Sequence, residues 1–169
     1  IRLDSGAKTV ALDDGTELRY GKLLLAIGGC VRKWDIPGAE KPGIFYLRTL
    51  NDAKAIIEAV KTAKHGVAVG GGFISFEMCE MMRMAGLEVT LIVREPSYWA
   101  GLLDEASGKM IEEALERGDV KILKDSEARE VVGVDKIEKL VLKNGMEIRC
   151  DAVIVGIGVS CPFAWISQA

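Results

Sequence analysis

The chain has 169 residues, 49% of them hydrophobic, and a formal charge of −3, which suits one core of ordinary size and argues against a nucleic-acid binder. No apolar run approaches the roughly 20 residues of a membrane helix, and nothing has the order of a signal peptide, so a cytoplasmic protein is expected. Cys30, Cys79, Cys150 and Cys161 form no C-x-x-C pair, and His65 is the only histidine. That pattern speaks for reduced thiols and against a metal or thiol-redox site.

Thr9 to Leu12 and Glu17 to Tyr20 read as two strands around Asp13-Asp14-Gly15, residues that adopt the positive φ of hairpin turns. Leu23-Leu24-Leu25-Ala26 is short and wholly apolar and ends in Gly28-Gly29, which predicts a buried parallel strand. Trp34 to Gly43, with two prolines and two glycines, is expected as a linker and a domain boundary. Thr49 and Asp52 make a capping box, and Ala53, Ile56, Ile57 and Val60 fall on one face of the helix it opens.

Val67-Ala68-Val69 is an apolar run that breaks into Gly70-Gly71-Gly72 and resumes as a helical pattern from Phe73 to Ala85, stopped by Gly86. Glu88 to Val93 then reads as a second strand, completing a β-α-β unit. This is the setting of a dinucleotide fingerprint. Gly70 permits the tight turn, Gly72 lets backbone amides approach a pyrophosphate, and the helix aims its positive end at the phosphate charge. The third glycine of the pattern is Ser75, a small residue at a position that serves close helix–strand packing. Met78, Met81, Met82 and Ala85 are expected to fill the seam between helix and sheet.

Pro96 to Leu103 is a loop carrying Tyr98 and Trp99, aromatics that either stack on an adenine or anchor the loop, the second being the commoner use. Asp104 caps a helix running to Arg117 with Met110, Ile111, Ala114 and Leu115 as its apolar stripe, and Gly118 ends it. Val120 to Leu123 is the third parallel strand. Glu130 to Val132, Lys139 to Leu142 and Glu147 to Cys150 form a β-meander with Asn144-Gly145 as a hairpin turn. Ala152 to Val155 is again continuous and apolar, and ends in Gly156-Ile157-Gly158. The chain starts at Ile1 without methionine and stops after Phe163-Ala164-Trp165-Ile166 opens a new apolar segment, the look of a piece cut from a longer protein. The expected class is α/β, a Rossmann-like three-layer dinucleotide-binding domain with a parallel sheet and a β-meander.

This order of elements, with Ala26-Ile27-Gly28, Ile36-Pro37-Gly38, Gly70-Gly71-Gly72-Phe73-Ile74 and Val155-Gly156-Ile157-Gly158, resembles the FAD-dependent pyridine nucleotide-disulfide oxidoreductase family over nearly the whole chain. The resemblance implies an FAD domain interrupted by an NAD(P)-binding domain. Residues 1–42 would then end the first FAD segment, 43–150 form the NAD(P) domain, and 151–169 begin the return to the FAD domain. It implies that Gly70, Gly71, Gly72 and the amides of Phe73 and Ile74 hold the pyrophosphate, and that Gly156, Ile157 and Gly158 pack at the nicotinamide end. Phe73 would match the gate over the flavin ring and Glu77 the acidic residue near nicotinamide and flavin, giving these two the catalytic roles. Ala26 and Gly28 would lie at the flavin junction, where the family's usual threonine is Ile27 here.

The acidic residue that binds ribose in NAD-specific members falls at Val93, followed by Arg94 and Glu95. An arginine there meets a ribose 2′-phosphate and a glutamate takes the 2′-hydroxyl, so the expectation leans to NADPH. By this likeness the full-length parent passes hydride from NAD(P)H to FAD and on to an acceptor the sequence does not name. The chain alone would bind nucleotide weakly and catalyse nothing, its partners being the nicotinamide nucleotide and the parent's remaining FAD segments, with a homo-oligomer left open. A nucleotide-sensing Rossmann module without turnover, and a Rossmann domain for another adenosine ligand, are the competing readings.

Overall fold

The protein is described from a computed structural model, which covers residues 1–161 and residue 166. In chain order its strands and helices are β1 (Arg2–Asp4), β2 (Thr9–Ala11), β3 (Glu17–Arg19), β4 (Cys30–Val31), β5 (Ile44–Phe45), α1 (Leu50–Val60), β6 (His65–Val69) and α2 (Phe73–Met84). Then follow β7 (Glu88–Ile92), α3 (Glu105–Arg117), β8 (Val120–Leu123), β9 (Ala128–Val132), β10 (Lys139–Leu142), β11 (Glu147–Arg149), β12 (Ala152–Val155) and β13 (Val159–Ser160). The expected apolar segment at Phe163-Ala164-Trp165 lies outside the described residues.

Two compact units divide the chain, one of residues 1–30 with 159–169 and one of Val31–Gly158. In the first, β1, β2 and β3 form an antiparallel sheet in which Thr9 pairs with Arg19 and with Asp4. The hairpin foreseen around Gly15 is there, its φ at +85°, and β1 adds a strand that the sequence pattern did not reveal. Leu23 to Ala26 is not a strand. Leu24 is 89% exposed, and Leu23, Leu25 and Ile27 are exposed with it. A parallel strand needs neighbours to satisfy its backbone, and among the described residues none pairs with this run.

The second unit is built on a parallel sheet of order β5-β12-β6-β7-β8. Period-two alternation sends its side chains into two cores. Ala68, Val89, Leu91, Val93 and Ile154 face α1, α2 and α3, where Ile56, Cys79, Met82 and Leu115 meet them. Val67, Val69, Ile92, Val153 and Val155 face the β9-β10-β11 meander through Val131, Leu140 and Leu142. The result is three layers of helices, sheet and meander, the architecture expected. The side chain of Asp151 accepts hydrogen bonds of 2.9 Å from the amides of Lys64 and His65, and so fixes the start of β6 beside β12.

The capping box on α1 is present, with the Thr49 hydroxyl accepting from the Asp52 amide and the Asp52 carboxylate accepting from the Thr49 amide at 2.7 Å. Ile56 and Val60 are buried, but Ile57 is 55% exposed, because α1 touches the sheet along a narrow stripe. Met82 is fully buried and Met78 and Met81 pack at its edge, whereas Ala85 is exposed as the C-cap of α2. On α3 the buried stripe is Gly108, Glu112 and Leu115. Met110 and Ala114 face outward, contrary to the expected pattern, because the helix is turned to bring Glu112 under the Pro96–Leu103 loop.

The span from Trp34 to Gly43 is no free linker. Trp34 and Ile36 pack on the meander-side core, the Val131 amide donates to the Pro37 carbonyl at 2.9 Å, and a side chain at Gly38 would meet the Val131 carbonyl oxygen at 2.4 Å. The compact unit is therefore wider than residues 43–150 at both ends: it takes in this segment, and β12 lies in the middle of its sheet.

Candidate functional site

In the five-stranded sheet the chain proceeds from β6 outward to β7 and β8, while β12 and β5 lie on the other side of β6. The order reverses between β6 and β12, and open α/β sheets bind ligands at that point, beyond the carboxyl ends of the strands. Both glycine runs lie there. The Gly70 amide donates to the Ile92 carbonyl at 2.9 Å and the Gly156 amide to the Val69 carbonyl at 2.8 Å, so the two turns leave neighbouring strands side by side. A Cβ on Gly70 would lie 2.3 Å from the Gly156 carbonyl oxygen, and its φ is +115°. Only glycine fits.

Ser75, in the place of the third glycine, is fully buried, and its hydroxyl donates to the Val69 carbonyl at 3.1 Å. A Cβ on Gly156 would come within 2.7 Å of this hydroxyl oxygen. The serine thus keeps helix and strand in close contact while satisfying its own polar atom.

Gly72 behaves differently. Its φ of −117° and ψ of 179° are open to any residue, and a Cβ there would meet nothing within 4 Å among the described residues. It is the N-cap of α2 and provides no side-chain hydrogen bond to the helix start, where the first amides of a helix lack intrahelical acceptors. Bare amides, the positive end of the helix and open space at Gly72 fit a diphosphate.

These turns form one wall of a cleft of about 760 Å³. Of the residues expected at the site, Gly70, Gly71, Gly72, Arg94, Glu95, Gly156, Ile157 and Gly158 line it. Phe73, Ile74 and Glu77 do not. Phe73 is 64% exposed and meets Trp99 edge-on at 4.1 Å between ring centroids. Glu77, four residues on, shares that exposed face of α2. Ala26 and Gly28 belong to the first unit and are exposed, Gly28 with a φ of +66°.

Beyond β7 the cleft carries paired charges. Arg94 donates to Glu95 at 2.8 Å, and a side chain on Gly71 would have the Glu95 carboxylate 3.7 Å away. Lys143, at the end of β10, pairs with Glu127 at the opposite edge. Its hydrogen bond, outweighing a small effect of burial, holds the Glu127 carboxyl below its usual range, with the charges of Lys143 and Arg94 adding to it. Val93 is fully buried and bonds through its amide to the Leu123 carbonyl, so no acid projects from that position.

Trp99, a candidate from the sequence, lines the cleft, and so do Glu127, Lys143, Arg32 and Trp34, which the sequence did not single out as binding residues. The signal that finds the others is topological: they flank the carboxyl ends of β6 and β12. Tyr98 is fully buried and cannot stack on a ligand; its hydroxyl donates to the Gly72 carbonyl at 2.6 Å.

A parallel sheet with a glycine turn leading into a helix at its switch point defines a dinucleotide-binding α/β domain. The family model described as pyridine nucleotide-disulphide oxidoreductase matches residues 1–168, and the chain belongs to that family. Members of the family use FAD and NAD(P)H. A nitrite reductase (NAD(P)H) of Bacillus subtilis is 30% identical over 159 residues, covering 94% of this chain and 20% of the relative. A rubredoxin-NAD(+) reductase of Pseudomonas putida is 32% identical over 159 residues, 94% of this chain and 41% of that one. Among solved structures, a ferredoxin reductase of Rhodopseudomonas palustris superposes with a TM-score of 0.93 at 29% identity, over 100% of this chain and 42% of the other. The chain thus spans between a fifth and about two fifths of these proteins.

Proposed function

We propose that this chain is the NAD(P)H-binding part of a flavoprotein oxidoreductase whose full length transfers hydride from NAD(P)H to FAD and on to an acceptor. The observation that carries the reading is Gly72: an unstrained glycine with open space where its side chain would be, capping a helix without a side-chain bond, at the switch point of the sheet. The printed names of the nitrite and rubredoxin reductases, both of which specify a nicotinamide coenzyme, support it.

In this reading Gly70 sets the turn, Gly71 and Gly72 admit the diphosphate, and the amides of Phe73 and Ile74 bind it. The bound coenzyme supplies a hydride from nicotinamide. The chain's own work is to hold that ring, with Gly156 to Gly158 along one edge, and to exclude water around it. Phe73 and Glu77 stand on the exposed face of α2, where the family likeness puts a gate and an acid toward the flavin; Ala26 and Gly28 would contact FAD through backbone. The first unit, residues 1–30 with 159–169, would complete an FAD domain with segments of the parent beyond this chain, and the chain alone would bind nucleotide weakly without turnover.

Arg94 supports NADPH over NADH, since its guanidinium stands free enough, 72% exposed, to leave Glu95 for a 2′-phosphate. The test has two parts. NADPH and NADH are titrated against the chain by calorimetry, and reduction of bound flavin is followed in the full-length parent. Nucleotide binding with flavin reduction is the expected result. Binding without reduction would favour a sensing module, and preference for another adenosine ligand would overturn the assignment.

A further inference from the structure

Tyr98 connects the loop after β7 to the glycine turn, and nothing in the motif requires it. Its hydroxyl donates to the Gly72 carbonyl at 2.6 Å, an oxygen that also accepts the first helical bond of α2, from the Phe76 amide at 3.2 Å. Burial pushes the phenol well above its ordinary value, so it stays a proton donor throughout the working range. The loop is fixed from below. The buried Glu112 accepts from the Tyr98 amide at 2.8 Å and from the Lys124 ammonium at 2.8 Å. Gly108 lets α3 approach so closely that a Cβ there would lie 2.7 Å from the Tyr98 carbonyl oxygen. Trp99, next in the chain, sits at a φ of +56°, a costly conformation for an aromatic residue that persists only under firm constraint.

The carbonyl held by Tyr98 belongs to the same peptide unit as the Phe73 N–H, and a donor on one end of a peptide strengthens the donor at the other. We propose that Tyr98 is a positioning residue for the diphosphate, holding the Gly72–Phe73 peptide in place and making its N–H a stronger donor, with Glu112 and Lys124 as the brace behind it. This rests on the dinucleotide reading above.

Tyr98→Phe keeps the ring and removes only the hydroxyl. Affinity for ADP and NADPH should fall about three- to tenfold, the range for one lost hydrogen bond, while affinity for adenosine, which lacks phosphate, stays unchanged. Without any ligand, the Phe73 amide proton should move upfield in the nitrogen–proton correlation spectrum. Glu112→Gln, which keeps an acceptor for the Tyr98 amide but loses the ion pair, should give a smaller loss with the same split. Unchanged ADP affinity in Tyr98→Phe, or equal losses for ADP and adenosine, would overturn the proposal while leaving the dinucleotide reading intact. Failure of the unaltered protein to bind ADP or NADPH would sink both.

Discussion

Replacing Gly70 and Gly72 one at a time separates what the turn needs to exist from what it needs to bind. At Gly70, alanine would be forced into a φ of +115°, and its methyl would sit 2.3 Å from the Gly156 carbonyl oxygen and 2.9 Å from the carbon that bears it. The conformation costs about 1–3 kcal/mol, and moving backbone aside to restore contact adds a similar amount, as overpacking does. For a chain of 169 residues, where each kcal/mol moves the midpoint by about 2–4 °C, Gly70→Ala should lower the melting temperature by about 10 °C. Gly72→Val has an unstrained backbone and open space at its Cβ, and as an N-cap exchange it should cost no more than about 1 kcal/mol, so its melting temperature should stay within about 4 °C of the unaltered protein. Binding of NADPH should nonetheless fall at least tenfold, about 1.4 kcal/mol, because the branched side chain would stand in the proposed place of the diphosphate. Differential scanning fluorimetry and calorimetric titration read the two effects separately. Full affinity in Gly72→Val would refute the placement of the diphosphate, and an unshifted Gly70→Ala would refute the close approach of the two strand ends.

Arg94→Ala should weaken NADPH more than NADH in parallel titrations; equal small changes would show that the guanidinium serves Glu95 alone. Glu112 titrates from a carboxyl held low: burial alone would raise it, but the Lys124 and Tyr98 bonds outweigh that. A depressed folded value stabilises above the unfolded one and is lost as pH falls through the folded one, so protection of the Tyr98 amide against hydrogen exchange should hold at the ordinary glutamate value and decline only at pH below it. The Cys79 and Cys150 thiols are pushed up to about 12 by burial, whereas Cys30 and Cys161 are exposed. Thiol labelling of the native protein should therefore modify Cys30 and Cys161 quickly and reach the other two only on unfolding.

The fingerprint was legible because each glycine in it answers a local demand that a short stretch of sequence displays. Composition also served where a strand is buried on both faces, as in β6 and β12, whose apolar runs are continuous. It failed where tertiary context decides. Leu23 to Ala26 carries the composition of an inner strand but has no pairing partner among the described residues. On α3, Leu115 and Ile111 pack on the core as expected but Met110 and Ala114 face outward, because a charged residue, Glu112, takes the buried place, a choice visible only once Lys124 and the Tyr98 amide are known to meet it. Val93 shows the same limit. Its position in the chain suggests a coenzyme contact, but its full burial means that Val93→Glu would place an unpaired carboxylate in the core. The far wall of the cleft, with Lys143 and Glu127, comes from the meander, and no local pattern announces a residue whose role depends on which sheet edge it borders.

The strand that closes the β6 side of the cleft is made late. β12 sits between β5 and β6, yet more than eighty residues separate β6 from it in the chain. Until a ribosome has released residues 152–155, β5 and β6 each show a bare hydrogen-bonding edge, and Gly70 has no Gly156 to pack against. Such sequence-distant pairing slows folding, and it makes the nucleotide site a reporter of completion: a nascent chain halted before Ala152 would carry the whole fingerprint and still be unable to use it.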